Sequence, residues 1–529
     1  MEYFQNLPAH MNGPMQWLAW LLFLGFLTYY IVDAISTKRL VEQLYQLPLV
    51  GSHSLTPKFI PNLAFTWKAA DILAEGYHKF KTSAFQLIRG DGRVVILPLS
   101  LLEELTSLPP TIANPQAALE RDLLGHFTGL NMIIESRLHH IIVQRKLTPR
   151  IPLLIPRIEN SIAQATDKLL PQTEQWSRIQ AYQVLSQVSA LSVAHVIVGL
   201  AFCDEKKWLD ISCNYTESLF RTVVVLRMMP EWLQNLTYFL LPSYWECQRH
   251  LRDAQSLLSG HIQSLIEKND SGLWEPQDDN ADDLNVLSWL CAIAKGRDRN
   301  PHVIAHVLVL VALAAVHTTL LRMVNVLYDI TAAGPDLKNE LIQEIKKTAE
   351  KGWSNDSYDQ LHRLDSVMRE SQRRSPPTIL GLKRLFRQPY TFQDNTHVIA
   401  GTYVSVPIYA IENDEEHTSE PQEFDGLRSY RARQELEAAG DHQADVKDLL
   451  FSSPTRTNLN FGYGRTACPG RFFASQIIKV VLVKLLTEYE FDFLPGETRP
   501  KNLLMHEFLF TWPWQQMLAR RRANSDPLF

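Results

Sequence analysis

Cysteine is scarce and scattered in this 529-residue chain. Its five cysteines are Cys203, Cys213, Cys247, Cys291 and Cys468, and none has a second cysteine close by. That excludes a zinc or iron–sulfur site built from clustered thiolates, and it does not suggest a disulfide framework. A strong excess of one charge is also missing. The formal net charge is −5, so no affinity for nucleic acid is implied. No flavin or nicotinamide fingerprint occurs along the chain. What the sequence does hold is 46% hydrophobic and only 21% charged residues, enough for a large core; the length allows several domains, and a single large helical enzyme domain is also compatible. The cysteine usage reads as a reducing, cytosol-facing protein. The sequons at Asn214 and Asn235 carry no weight in that setting.

The most informative stretch is Phe461-Gly462-Tyr463-Gly464-Arg465-Thr466-Ala467-Cys468-Pro469-Gly470, followed by the apolar, helix-compatible run Arg471-Phe472-Phe473-Ala474-Ser475-Gln476-Ile477-Ile478. Proline is well placed at a first helical position, which predicts Cys468 at a helix N-cap. There the free N–H groups and the helix dipole favour an anionic sulfur. Gly462, Gly464 and Gly470 let the backbone turn sharply and approach something flat and bulky. A lone thiolate here has three readings: a nucleophile with a histidine partner, the single axial ligand of a haem iron, or an inert cysteine beside a turn.

Phe461, Gly462, Gly464, Cys468, Pro469 and Gly470 resemble the haem-binding loop of the cytochrome P450 family. The run through Ala474 is similar to filamentous-fungal members. The resemblance implies a mainly α fold with a small β region (α+β), a single catalytic domain and haem b. It implies Cys468 as the axial ligand of the iron, with Phe461, Gly462 and Gly470 around the cofactor. The family often has a basic residue two before the cysteine, reaching a haem propionate; here Thr466 stands there, with Arg465 beside it.

Residues 303–330 form an apolar run without proline or glycine, long enough on hydropathy to cross a bilayer. His302, His306, His317, Arg322, Asn325 and Asp329 argue instead for a helix buried in protein. In its middle lies Ala314-Ala315-Val316-His317-Thr318-Thr319. Small side chains at Ala314 and Ala315 let a macrocycle lie against the helix. The Thr318 hydroxyl can bond a carbonyl one turn back and loosen the helix locally. By resemblance this is the oxygen-activating segment, with Thr318 catalytic and His317 where the family has an acid. His317 either relays protons or is a buried histidine satisfied by a neighbour.

Residues 138–148 read as a helix stopped at Pro149. The resemblance implies a haem-propionate arginine on it, for which Arg145 is the candidate, although Ile141 replaces the usual tryptophan partner. Arg145 and Lys146 equally suit a solvated basic face that meets an acidic redox partner. Glu370 and Arg373, three apart, share a helix face. With Arg428 they resemble the family's buried network behind the haem loop, a structural role. Residues 93–99 and 390–411 read as strands, and 431–450 as an irregular charged loop. The 378–380 and 507–512 segments resemble parts of the substrate cavity wall, or are plain core.

Trp17 to Val32 is apolar, and Lys38-Arg39 follow it. This predicts residues 1–14 as lumenal, 15–35 as a transmembrane anchor, 36–55 as a linker with a proline hinge, and 56–529 as the catalytic domain in the cytosol. The absence of a basic leader argues against a cleaved signal peptide. By resemblance the protein sits in the endoplasmic reticulum membrane and takes electrons from a separate NADPH-dependent flavoprotein reductase. It then hydroxylates a hydrophobic small molecule, of terpenoid or meroterpenoid type, in one or several steps. Two other readings stay open: a haem-thiolate desaturase or isomerase, and a non-catalytic haem- or lipid-binding membrane protein.

Overall fold

The helix Pro301–Ala333 is the axis on which the rest packs. The computed structural model describes part of a helix within residues 17–35, and residues 47–529 apart from 53–55, 58, 90–91, 230, 441–445 and 524–526. The readings for residues 1–16 and 36–46 lie outside the described residues. The helix has a clear start and stop. Asn300 accepts from the His302 N–H at 2.9 Å, Pro301 occupies the first turn, and Gly334 ends it at φ +90°. Around it lie the helices Ala181–Val198, Lys206–Arg227, Pro242–Asp270, His362–Arg374 and Arg471–Glu488. Ile304, Leu308, Met323, Val324 and Tyr328 are wholly buried among them, each worth roughly 1.5–3 kcal/mol of transfer free energy. Length and hydropathy alone would let Pro301–Ala333 and Ala181–Val198 cross a membrane, but 67% of each window is buried in protein, which marks them as core helices.

Among the described residues five strands form the larger sheet: β1 (Phe85–Arg89), β2 (Gly92–Ile96), β3 (Ala113–Asn114), β4 (Gly381–Phe386) and β5 (Tyr403–Val406), in the order β1-β2-β5-β4-β3. β2 and β5 run parallel, with Val95 opposite Val404; the other pairs are antiparallel. Strand alternation along β4 buries Leu382, Arg384 and Phe386, which turns a guanidinium inward. The segment Leu47-Pro48-Leu49-Val50-Gly51 docks on the edge of β1, where Val50 donates to the Gln86 carbonyl and Gln86 to the Pro48 carbonyl, both at 2.9 Å. Strands Ser177–Gln180, Tyr489–Phe493 and Gln516–Arg521 form a second, three-stranded sheet.

Four sequence expectations change. Pro149 does not stop its helix: Leu138–Ile142 passes through a π-helical turn, Val143–Leu147, and a short 3₁₀ turn into Ile151–Leu169. The wide turn accommodates the proline, and the Thr148 hydroxyl donates to the Val143 carbonyl at 2.9 Å. Residues 431–450 are not all irregular, because Arg428–Ala439 is helical. Its Ala, Leu, Glu and Arg residues favour helix, and Arg433 pairs with Glu437 at 2.8 Å. Ile408 opens a short helix, Ile408–Glu412, instead of continuing a strand. Cys468 is not an N-cap: Gly470 is, and Arg471–Glu488 begins after it. Proline and glycine together extend the turn by two residues before helical hydrogen bonding starts.

Candidate active site

Cys468 closes a tight loop. Its N–H donates to the Phe461 carbonyl at 2.7 Å. Gly462 sits at φ +79°, and a Cβ there would meet the Thr466 carbonyl oxygen at 3.2 Å and the Ala467 Cα at 3.3 Å. Both the backbone angle and the space therefore require glycine. Phe461 packs edge-on against Phe451, with ring centroids 5.1 Å apart. Upstream, the buried carboxylate of Glu412 accepts from the Leu459 N–H at 2.5 Å and from Asn460 Nδ2 at 2.6 Å, pinning the loop's entry.

The loop forms one side of a cavity of about 590 Å³; Cys468, Phe461 and Gly470 line it there, and Ala314, Ala315 and Thr318 line it from the central helix. Cys468 is exposed, but to this cavity and not at the outer surface, so its sulfur is both accessible and desolvated. Burial pushes the thiol up. The Gly470 N–H, the Arg471 guanidinium and the Arg471 N–H pull the other way by favouring thiolate.

On the facing side the helix is widened into a second π-helical turn, Leu313–His317. Widening takes carbonyls out of ordinary helical bonding, and hydroxyls accept that role. Thr318 Oγ1 donates to the Ala314 carbonyl and Thr319 Oγ1 to the Ala315 carbonyl, each at 2.6 Å, and Ser189 Oγ donates to the Val316 carbonyl at 2.9 Å. Ala314 and Thr318 are exposed in a helix otherwise largely buried, because the cavity opens against them.

A third side is cationic. Arg384 is 3% exposed, donates to Thr466 Oγ1 at 2.8 Å and to the Lys383 carbonyl at 2.9 Å, and burial lowers its pKa to about 10. Among the described residues no carboxylate pairs with it. Arg137, His139, His140 and Arg465 line the same cavity.

The donor set fits a haem with one axial thiolate. Among the described residues no three His, Cys, Asp or Glu side chains converge, so the Cys468 sulfur is a lone candidate ligand. Small residues face it, and a buried guanidinium without a carboxylate suits an anionic propionate.

The sequence candidates fall into three groups. Cys468, Phe461, Gly470, Ala314 and Thr318 meet in the cavity, and Gly462 shapes the loop behind it. Glu370, Arg373 and Arg428 meet elsewhere. Arg373 clasps Glu370 at 2.6 and 2.9 Å, and Arg428 Nε lies 3.4 Å from the same carboxylate. Two candidates lie outside the lining. Arg145, within the π-helical turn Val143–Leu147, is exposed and does not line the cavity. His317 is buried between Phe220 and Tyr182, and burial lowers its pKa to about 4. A neutral imidazole buried outside the cavity lining suits the buried-histidine reading better than the proton relay.

Arg384, Glu412 and Ser189 organise the site without having been singled out in the sequence. Arg384 was visible as a basic residue alternating with Leu382 and Phe386. Thr319 was visible as a second hydroxyl beside Thr318. Glu412 and Ser189 are remote in sequence from everything they hold and carried no signal.

Residues 132–517 match the sequence model of the family described as Cytochrome P450. A curated relative from Penicillium canescens, cytochrome P450 monooxygenase olcJ, is 34% identical over 485 residues, covering 91% of this chain and 89% of its own. The ent-kaurene oxidase of Gibberella intermedia is 30% identical over 534 residues, covering 99% and 97%. Among solved structures, the retinoic acid bound cyanobacterial CYP120A1 superposes with a TM-score of 0.65 at 16% identity. That match covers 90% of this chain and all of the other, a likeness of fold alone.

Proposed function

From the premise that this chain belongs to the cytochrome P450 family of monooxygenases, we propose that it oxidises a terpenoid-type hydrophobic small molecule, with haem held by Cys468. The observation that carries this reading is the cavity itself: one accessible sulfur faces Ala314, Ala315 and Thr318 across it. When bound, haem supplies an iron centre that activates oxygen for insertion into a carbon–hydrogen bond. The chain supplies the rest. The N–H groups after Cys468 favour the anionic sulfur. Arg384, with Thr466 as its hydrogen-bond partner, offers positive charge to a propionate in place of the missing basic residue at 466. Thr318 spends its proton on the Ala314 carbonyl and keeps its oxygen lone pairs for a donor in the cavity. It is thereby placed to hold a water or a proton at the reacting face. Leu119, Leu310 and Val311 make the lining apolar, which excludes bulk water and suits a hydrocarbon skeleton.

The relative named ent-kaurene oxidase supports a terpenoid substrate. Electrons come from a separate flavoprotein reductase. An N-terminal anchor holds the domain at the cytosolic face of the endoplasmic reticulum. The exposed apolar residues Leu236, Phe239, Leu240 and Trp245 are in keeping with contact to that membrane.

The test is a reduced carbon-monoxide spectrum of the purified protein, then product analysis after co-expression with a reductase on terpenoid extracts. A thiolate-type Soret band and an oxygenated product are expected. An unchanged band in Cys468→Ser, or no oxygenated product from any terpenoid, would sink the reading.

A further inference from the structure

His317 ends the π-helical turn that forms the cavity's facing side, yet it points into protein. Its ring stacks on Phe220, with centroids 6.1 Å apart and planes at 29°, and meets Tyr182 edge-on at 6.5 Å. Phe220, on the helix Lys206–Arg227, packs in turn edge-on against Phe508 at 5.5 Å and Phe510 at 5.3 Å. These two belong to the hairpin formed by Leu503–Met505 and Phe508–Phe510.

Behind the rings lies a buried knot of charge. Glu507 accepts from Arg89 Nη1 at 2.9 Å, from Arg227 Nη2 at 2.9 Å and from Lys383 Nζ at 3.2 Å. Asp122 accepts from Arg89 at 2.9 Å, Lys383 at 2.7 Å and the Tyr403 hydroxyl at 2.7 Å. Arg227 and Lys383 also lie over the Phe508 ring, 5.5 and 5.1 Å from its centroid. The knot joins the end of the Lys206–Arg227 helix to β1, β4 and the hairpin. A continuous series of contacts thus runs from Glu507 through Phe508 and Phe220 to His317 and the π-helical turn.

We propose that His317 is a positioning residue: its ring, clamped by Phe220 and Tyr182 and backed by the Glu507 knot through Phe508, holds the turn Leu313–His317 in the register that presents Ala314, Ala315 and Thr318 to the cavity. The role belongs to the flat ring and not to its nitrogens. Among the described residues no hydrogen bond reaches the His317 ring, although neighbouring polar groups such as Ser189, Thr319 and Asn325 are paired. The turn is inherently unstable, being wider than an α-helix, and needs such an external brace. This rests on the haem-thiolate reading above.

The test uses the purified haem-loaded protein and two probes that bind the iron, imidazole and 4-phenylimidazole, each titrated by the Soret shift. 4-Phenylimidazole adds a phenyl ring that takes up more of the cavity lined by Ala314 and Ala315 than imidazole does, and so is the probe more sensitive to that wall. His317→Phe keeps the stack and should bind both probes within about twofold of the parent protein. His317→Ala and Phe220→Ala remove the clamp and should weaken 4-phenylimidazole about five- to tenfold, with imidazole changed about twofold or less. Should His317→Ala retain no pigment, Phe220→Leu makes the same comparison from outside the cavity lining. The proposal is overturned if His317→Phe behaves like the clamp-removing variants, or if those variants bind both probes as the parent does. Failure of the haem reading is separate, because it shows in the parent protein, as absence of the thiolate-type carbon-monoxide band.

Discussion

The hydroxyl of Thr318 donates to the carbonyl of Ala314 at 2.6 Å, inside the widened turn of the central helix and at the cavity wall. This one bond fixes which way the threonine oxygen faces. Replacing Thr318 by alanine removes the hydroxyl from the reacting face while leaving the apolar packing. Product formed per NADPH consumed should fall by on the order of a hundredfold, with Thr318→Ser retaining most of it. Parallel measurement of product and peroxide checks this. A Thr318→Ala protein with unchanged coupling would remove the residue from the mechanism.

Arg384 has a different expected signature. Among the described residues its buried guanidinium has Thr466 and the Lys383 carbonyl as partners. If it neutralises a propionate, Arg384→Leu should lose about 1.5–3 kcal/mol of charge-assisted hydrogen bonding. Haem transfer to an excess of haem-free globin should then be roughly ten- to a hundredfold faster. Equal transfer rates would assign the propionates to other residues.

The Glu370–Arg373 clasp should matter to stability before activity. Arg373 also donates to the Pro421 carbonyl at 2.9 Å and to Asn413 Oδ1 at 2.6 Å, so it ties the helix His362–Arg374 to the chain leading toward the cysteine loop. Arg373→Ala leaves Glu370 buried without its main partner and should cost about 3–5 kcal/mol. Denaturant unfolding would measure it. A loss below about 1 kcal/mol would reduce the pair to surface-like significance.

Glu412 predicts a pH dependence. Burial raises its pKa to about 7, against the lowering effect of the Leu459 N–H, Arg369, Arg373 and Asn460. In the unfolded chain it titrates near its ordinary value, about 4.3. Between these values the folded protein keeps a proton that the unfolded chain has lost. This contribution to stability is therefore complete below about pH 4 and is lost as pH rises to about 7. Glu412→Gln keeps one acceptor for the loop and removes the titration. The difference in unfolding free energy between pH 5 and 7.5 should shrink by about 2 kcal/mol. An unaltered pH profile would mean that Glu412 titrates normally.

Local chemistry makes much of this protein legible in its sequence. The glycine and proline pattern around Cys468 announces a tight turn, because few residues accept φ near +79° with a carbonyl 3.2 Å from the Cβ position. The uninterrupted apolar run from 303 announces a core helix, because its few polar residues would be costly in lipid. Spacing of three brings Glu370 and Arg373 together regardless of what surrounds them.

Direction was decided only by the tertiary structure. Each π-helical turn inserts a residue into a helical period; Arg145, in one, is exposed, and His317, in the other, meets an aromatic clamp. No periodicity argument sees it, since the hydroxyls that make the wide turn affordable come partly from Ser189, on another helix. Arg384 and Glu412 reach the site from 84 and 56 residues before Cys468 for the same reason. The sequence specified which groups exist and what each prefers locally. Packing between distant segments chose which of them face the cavity, because a side chain's orientation is set by all the surfaces that close around it.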